Sequence, residues 1–453
     1  MGETVRLRAV GEVPAYRPGL VTALDVGSSK IACLIGRAEH GSLRILGAAL
    51  RESQGIKGGT IVSLDLAEES IRDCVAAAEN HADARIQNVL ISLTCGQPVS
   101  VTSRAVMSLD GALVTDAHLR ALLADGRAKC KLDNHEIIQS APTAYVVDEA
   151  RGVRDPSGMF CQRIGVAMHA VAVKPSPYQN LKLAVERCHL NVVGSLFAPY
   201  ASGLATLTED EKQLGATVID MGAGVTSIAV FLEGHLVHAD VVPMGGYQVT
   251  TDLARMLSAP LSAAERSKTL FGAALGDLEL GADVVAISQM GEDGEGAAMR
   301  VPRSMLTRII QARLEETLGE VQSRLRASGF DVAAGRRAVL TGGACQLAGV
   351  RELTSRVLNK QVRIGKPQNF PGLPAASSGP DYATAIGLLV AGATMPPEVL
   401  NPDPVNRPDE GGGKGWLSRL TGGLIQCFNN NKTNQLGFCG VRKKGGVASR
   451  QGE

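Results

Sequence analysis

Leu24-Asp25-Val26-Gly27-Ser28-Ser29-Lys30-Ile31 joins two apolar runs through a glycine turn. The first run, Leu20 to Asp25, stops at an acid, and the second runs from Ile31 to Gly36. Two apolar runs about a short Gly turn predict a β-hairpin with a carboxylate at the end of its first strand. The unit recurs as Thr217-Val218-Ile219-Asp220, then Gly222-Ala223-Gly224-Val225-Thr226, then Ser227 to Leu232. The two aspartates stand 195 positions apart. Leu43 to Leu50 and Leu236 to Val242 supply a candidate third strand to each copy. A repeated strand–acid–turn–strand unit predicts an α/β protein of two related halves.

The remaining segments fill in around these units. Leu64 to Ala84 places Leu66, Ile71, Val75 and Ala78 on one helical face, and Val89 to Leu93 reads as a buried strand. Cys95 to Val173 carries its own alternating runs. Val185 to Val193 reads as a helix, and Phe197 to Leu207 as a helical connector to the second copy. Ala338-Val339-Leu340 runs into a third glycine turn, Thr341-Gly342-Gly343, followed by helical patterns at Leu347 to Asn359 and Tyr382 to Ala393. Asn401 to Gly415, rich in Pro, Asp and Gly, reads as a linker.

Composition narrows the function classes. At 453 residues the chain exceeds one ordinary domain, and 45% hydrophobic with 20% charged residues excludes wholesale disorder. Aromatic residues are only 3%, which argues against a base-stacking platform and against a nucleic-acid partner. The nine cysteines form no C-x-x-C, so zinc-ribbon and thioredoxin readings fail and a reducing cytoplasm is expected. No run approaches the ~20 apolar residues of a membrane span. The net charge of +1 is a sum over unlike parts. Residues 414–453 hold seven Lys and Arg against one Glu, a net +6, which leaves −5 on the rest.

The glycine turns carry the chemistry. Glycine lets backbone N–H groups approach a phosphate closely. An aspartate at the strand end holds Mg²⁺, largely through water. Asp25 and Asp220 are therefore the candidate metal ligands. Gly27, Ser28, Ser29, Lys30, Gly222, Gly224 and Thr226 are the candidate phosphate contacts. Thr341, Gly342 and Gly343 would let an adenine lie flat against backbone. The Walker pattern G-x-x-x-x-G-K-[ST] is absent. His235 and His238 fall on a strand, where positions three apart face opposite ways, so they are a poor metal pair.

The order of these motifs resembles the actin, sugar-kinase and heat-shock-chaperone superfamily, and within it the FtsA family of actin-like bacterial cell-division proteins. Leu24 to Ile31 is similar to the first phosphate motif, Asp220 to Thr226 to the second, Leu340 to Ala344 to the adenosine motif, and Tyr382 to Gly387 to the second connecting helix. Gly152 to Gly158, Leu207 to Glu211 and Gln361 to Gly365 resemble FtsA more specifically. The resemblance implies an actin-like (ribonuclease-H-like) two-lobed fold with duplicated mixed sheets. It divides the chain into an extension (1–18), the first lobe (19–88 and 174–206) and an inserted FtsA-type subdomain (89–173). Then follow the core of the second lobe (207–245), its lower subdomain (246–333), and the adenosine motif with closing helices (334–396). The resemblance implies ATP and Mg²⁺ as cofactors and gives Glu265 and Lys268 a role at ribose and adenine. It implies partners: the FtsZ C-terminal tail docking on 246–333, further copies of the chain in a filament, and later division proteins. It implies weak ATP hydrolysis, because Gly194 to Tyr200 holds no carboxylate or amide to orient water. A pilus-assembly relative of FtsA and a small-molecule phosphotransferase of the superfamily are the competing functions.

The basic end completes the expectation. On a helical wheel Trp416, Leu417, Leu420, Leu424, Cys427 and Phe428 share an arc of about 120°, while Ser418, Arg419, Gly422 and Gln426 lie opposite and Ile425 falls off the face. An apolar face with an aromatic and flanking cations such as Arg419 is the pattern of a helix lying in a membrane interface. The FtsA resemblance implies such a C-terminal amphipathic helix (416–428) after a linker (397–415), on anionic lipid at the cytoplasmic face of the inner membrane and the septum. A helix packing on the protein body or on a partner is the alternative. Residues 429–453 depart from the family and read as a polar, basic, disordered tail.

Overall fold

The computed structural model describes residues 16–39, 42–276, 283–289 and 298–395. Residues 1–15, the linker, the amphipathic helix and the basic tail lie outside the described residues.

The first hairpin forms as its pattern predicts. Strand β1 (Gly19–Val26) pairs antiparallel with β2 (Lys30–Glu39), and β2 with β3 (Ser42–Glu52). A small hairpin, β4 (Ile56–Lys57) and β5 (Thr60–Ile61), leads into helix α1 (Leu64–Ala82). This helix buries Ala67, Ile71, Cys74, Val75 and Ala78 on one face; Leu66, expected on that face, is exposed instead. Asp83 ends it in the left-handed region at φ 48°. Strand β6 (Asn88–Leu93) then runs parallel to β1. It is part of the first sheet, so the insertion begins after it rather than at residue 89.

The insertion is an antiparallel sheet carrying one helix. Strands β7 (Val99–Ser108), β8 (Glu136–Val147), β9 (Ala150–Val153) and β10 (Arg163–Val173) form the order β7-β10-β8-β9, with helix α2 (Asp116–Ala128) between the first two in sequence. Its own core holds Leu119, Leu122, Tyr145, Ile164 and Met168.

The chain then returns to the first lobe, where the expected helix at 185–193 is not found. Helix α3 (Pro175–Glu186) starts at a proline in its first turn, and Asn191–Phe197 is strand β11, parallel to β6. Prolines 175 and 177 suit the first turn of a helix, and the run Val192 to Phe197 buries on both faces of a sheet.

Helices α4 (Ala198–Thr206) and α5 (Glu209–Leu214) lead to the second copy. Strands β12 (Ala216–Met221), β13 (Thr226–Leu232) and β14 (His235–Val242) are followed by α6 (Gly246–Met256) and α7 (Leu261–Phe271). Next come β15 (Val284–Ile287), β16 (Met299–Pro302), α8 (Arg303–Ala327) and α9 (Phe330–Ala333). Strand β17 (Arg337–Thr341) enters the third glycine turn. Beyond it lie α10 (Val350–Leu358), β18 (Gln361–Ile364) and α11 (Ala383–Thr394).

The two main sheets share one topology. The first has the order β3-β2-β1-β6-β11 and the second β14-β13-β12-β17-β18, each with an antiparallel meander followed by two parallel strands. The duplication extends to register. Asp25 sits opposite Ala32 and Val26 opposite Ile31; Asp220 sits opposite Ser227 and Met221 opposite Thr226. Helices α4 and α11 pack on each other at the join of the halves.

Candidate functional site

Each hairpin turn is closed by the same hydrogen bond. Gly27 N donates to Lys30 O at 3.0 Å, and Gly222 N donates to Val225 O at 3.0 Å. The turns meet: a Cβ on Gly224 would lie 2.5 Å from Ser28 Oγ and 2.8 Å from Gly58 Cα. Only glycine permits that approach. Ser28 Oγ also accepts from Gly59 N at 2.8 Å, while Ser29 is exposed. Thr226 is wholly buried in β13, with a hydroxyl that has no partner among the described residues. Its side chain is core rather than turn surface.

Behind the turns stand the carboxylates. Ser92 Oγ donates to Asp25 Oδ1 at 2.6 Å, bridging β6 to β1. Asp220 Oδ2 accepts from Ser202 Oγ on α4 at 2.6 Å and from Thr384 Oγ1 on α11 at 3.0 Å. Burial pushes the Asp25 carboxyl up to about 6; the Ser92 hydroxyl and the Lys30 ammonium oppose this, and Asp220 adds to it. Asp220 is raised as well, by burial, against the opposing pull of Ser202, Thr384 and Lys30. The Asp25 shift has a stability consequence. The folded chain holds the Asp25 proton more tightly than the unfolded chain, so ionising this carboxyl weakens the fold as pH rises from 3.8 through about 6. Asp25→Asn removes that penalty. It is expected to be more stable than wild type at pH 7 by only about 1 kcal/mol, because the carboxyl keeps some contact with water. Urea unfolding at pH 4.5 and pH 7 reads it; equal midpoints at pH 7 would contradict the assignment.

The third turn closes the site from the second lobe. β17 runs parallel to β12 with Thr341 beside Asp220. Thr341 is fully buried, and its hydroxyl donates to Pro380 O at 2.9 Å. Its role is to tie the turn to the segment before α11. Gly342 has φ 84° and ψ 167°, and a Cβ there would lie 2.4 Å from Asp220 Oδ1. At Gly343 a Cβ would meet nothing within 4 Å.

Glu265 and Lys268 flank this turn through α6. Gly246 N donates to Gly222 O at 2.9 Å, and Gly246 also abuts Ala344, so the start of α6 links the second and third turns. Lys268 Nζ donates to Gly246 O at 3.1 Å, Thr250 Oγ1 at 2.9 Å and Glu265 Oε2 at 2.6 Å. In this structure the two charges pair with each other and with Thr250, one layer behind the turns.

Four further groups belong to the site: Ser92, Ser202 and Asp381, which carry no motif, and Thr384, which lies within the stretch Tyr382 to Gly387, whose pattern gives it no role. Lys30 Nζ donates to the Asp381 main-chain oxygen and, at 2.9 Å, to its Oδ2. The more specific stretches also converge. Arg363 of β18 makes a bidentate pair with Glu211 of α5, Nε to Oε1 at 2.8 Å and Nη2 to Oε2 at 2.5 Å, and donates to Thr206 O at 2.7 Å. Burial raises Glu211, but Arg363 and the Thr208 N–H outweigh it and leave the carboxyl below its usual value. Arg154 of the insertion reaches Gln213 on the same short helix at 3.4 Å.

The donor set suits a hard cation held partly by ligand oxygens. The Asp25 and Asp220 carboxylates are acceptors, and no cluster of three or more His, Cys, Asp or Glu stands among the described residues to cage a metal alone. The open face at Gly343 and the small turns at Gly27, Gly222 and Gly224 suit a phosphorylated ligand laid along backbone.

Comparison with known proteins agrees with this architecture. The family model described as cell division protein FtsA matches residues 217–387, and that of the SHS2 domain inserted in FtsA matches residues 96–172. The cell division protein FtsA of Rhizobium meliloti (strain 1021) is 41% identical over 389 residues, covering 83% of this chain and 88% of that one. This chain belongs to the FtsA family of cell division proteins. The SHS2 match coincides with β7 to β10 and agrees with an insertion that starts after β6. Two solved structures share the fold. The PilM-PilN type IV pilus biogenesis complex matches with TM-score 0.58 at 16% identity, over 82% of this chain and 98% of that one. The MamK double helical filament matches with TM-score 0.51 at 11% identity, over 83% and 99%. The fold of this FtsA-family chain is therefore actin-like, two-lobed α/β. Among the described residues no helix is long and apolar enough to cross a membrane.

Proposed function

We propose that this FtsA-family protein binds ATP with Mg²⁺ between its two hairpin turns, assembles into filaments on the inner membrane and tethers FtsZ there. The carrying observation is the duplicated pair of turns, Gly224 set against Ser28, with Asp25 and Asp220 at the two strand ends. Asp25 and Asp220 would orient the hydrated cation; Gly27, Ser28, Ser29, Lys30, Gly222 and Gly224 would receive the phosphates. Gly342 and Gly343 would face adenosine, with Glu265 and Lys268 beside it. Bound there, the nucleotide and its cation supply one charged bridge between the halves, and closure of the halves sets the filament contacts. Hydrolysis is expected to be weak. The junction Phe197-Ala198-Pro199 offers no carboxylate, and the amide that reaches it, Gln139 on β8, has its oxygen held by Phe197 N–H at 3.0 Å.

The FtsZ C-terminal tail is assigned to the lower subdomain, 246–333. Support comes from its exposed apolar side chains, Met256 at 63%, Leu270 at 57% and Leu261 at 47%. Residues 416–428 are assigned to anionic lipid, with Trp416, Leu417, Leu420, Leu424 and Phe428 in the interface and Arg419 at the headgroups. That places the protein peripherally on the cytoplasmic face at the septum, where later division proteins join it. Co-sedimentation tests the assembly. The full chain is expected to pellet with anionic liposomes, and to carry FtsZ filaments with it when MgATP is present. Deleting 416–428 is expected to leave the protein in the supernatant with liposomes while FtsZ binding persists. Liposome binding unchanged by the deletion would remove the anchor assignment.

A further inference from the structure

We infer that Asp381 is a specificity-determining residue: it clasps Lys30, and a phosphate entering between the turns must displace it. The inference rests on the nucleotide reading above. The clasp joins distant parts of the chain, the first phosphate turn and the segment that follows the third. Lys30 Nζ donates to both the main-chain oxygen and Oδ2 of Asp381, with the Tyr382 ring centroid 5.3 Å away. Two of its three N–H donors are thereby committed. The same segment supplies Pro380 O, which accepts from Thr341 Oγ1 at 2.9 Å and from Gly342 N at 3.2 Å. These bonds do not involve the Asp381 side chain, so its release leaves the brace on the adenosine turn in place.

The local charge favours competition. Lys30 pairs with Asp381 and also acts electrostatically on Asp25 and Asp220, so one ammonium serves three carboxylates. A phosphate is a fourth anion for that cation. It is repelled by Asp381 and gains Lys30 fully only when Asp381 lets go. The pair is part-buried, with side-chain exposures of 22% and 23%, so it is stronger than a surface pair yet within reach of a ligand. An uncharged nucleoside has no such conflict. Asp381 would thus set the preference between nucleotide and nucleoside.

The test is a binding comparison on the full chain with MgATP and with adenosine. Asp381→Asn is expected to tighten MgATP about fivefold or more, with adenosine affinity changing less than about twofold. Lys30→Gln is expected to weaken MgATP. Adding Asp381→Asn to it is expected to change MgATP affinity by less than about twofold, because the clasp is already gone. Thermal unfolding confirms that each variant is folded; Asp381→Ser is read in the same way should the amide variant not fold. MgATP affinity unchanged or weakened in a folded Asp381 variant overturns the clasp and leaves the nucleotide reading standing. A wild-type chain that binds neither MgATP nor adenosine overturns both.

Discussion

Gly387→Ala is expected to be among the most destabilising single-methyl changes available in this chain. Helix α11 crosses α4 at Gly387, and a Cβ there would lie 1.7 Å from Ala201 O and 2.3 Å from its carbonyl carbon. The obstacle is helical backbone, which cannot rotate aside as a side chain does. The helices must separate, and overpacking of this kind costs about 3 kcal/mol or more. The site feels the separation directly. Ser202 rides on α4 and Thr384 on α11, their hydroxyls 2.8 Å apart, and both donate to Asp220 Oδ2. Parting the helices strands a buried carboxylate with one donor or none. Gly319→Ala is the matched control. It lies within α8, where an added Cβ meets nothing within 4 Å, and there alanine is expected to stabilise by about 0.5–1 kcal/mol through helix propensity. Thermal and urea unfolding of the two variants should move in opposite directions. A Gly387→Ala chain that unfolds like wild type would mean that the α4–α11 crossing is wider than described.

What was legible beforehand follows the range of the interaction. The hairpins could be read because strand, acid, glycine turn and return strand are contiguous, and the second copy repeated the first. The third turn could be read because Ala338 to Leu340 runs straight into it. Strand β11 could not: Val192 to Phe197 has no alternation, and its strand character comes from pairing with β6 some hundred residues earlier. Ser92 and Ser202 are single hydroxyls without a motif, and Thr384 lies in a stretch whose pattern gives it no role; all three are positioned only when the sheet and the two helices assemble. Thr226 and Thr341 illustrate the converse. Their sequence places them at phosphate-type turns, yet the strand pleat turns both side chains into the core. Glu211 and Arg363 lie in separate stretches of sequence, and only the fold brings them together as one ion pair.

The adjacent glycines Gly342 and Gly343 are expected to fail for different reasons, and that difference tests the site most sharply. Gly342 is held by the fold. Its φ of 84° with ψ 167° belongs to a region that L side chains avoid, and a Cβ would lie 2.6 Å from Met221 O as well as against Asp220. Gly342→Ala must therefore distort the β12–β17 junction. It is expected to lose several kcal/mol of stability along with ligand binding. Gly343 carries neither constraint: its φ lies outside the left-handed range and a Cβ there points into open space. Gly343→Val is expected to melt like wild type. If adenosine lies along this backbone, the isopropyl group occupies the same volume, and MgATP affinity should fall about 100-fold, which is close to 3 kcal/mol. Calorimetric titration alongside a melting curve separates the outcomes. A folded Gly343→Val chain with wild-type affinity would move adenosine off this turn while leaving the fold intact. A Gly342→Ala chain with wild-type stability would instead mean that Asp220 does not lie against the turn at all.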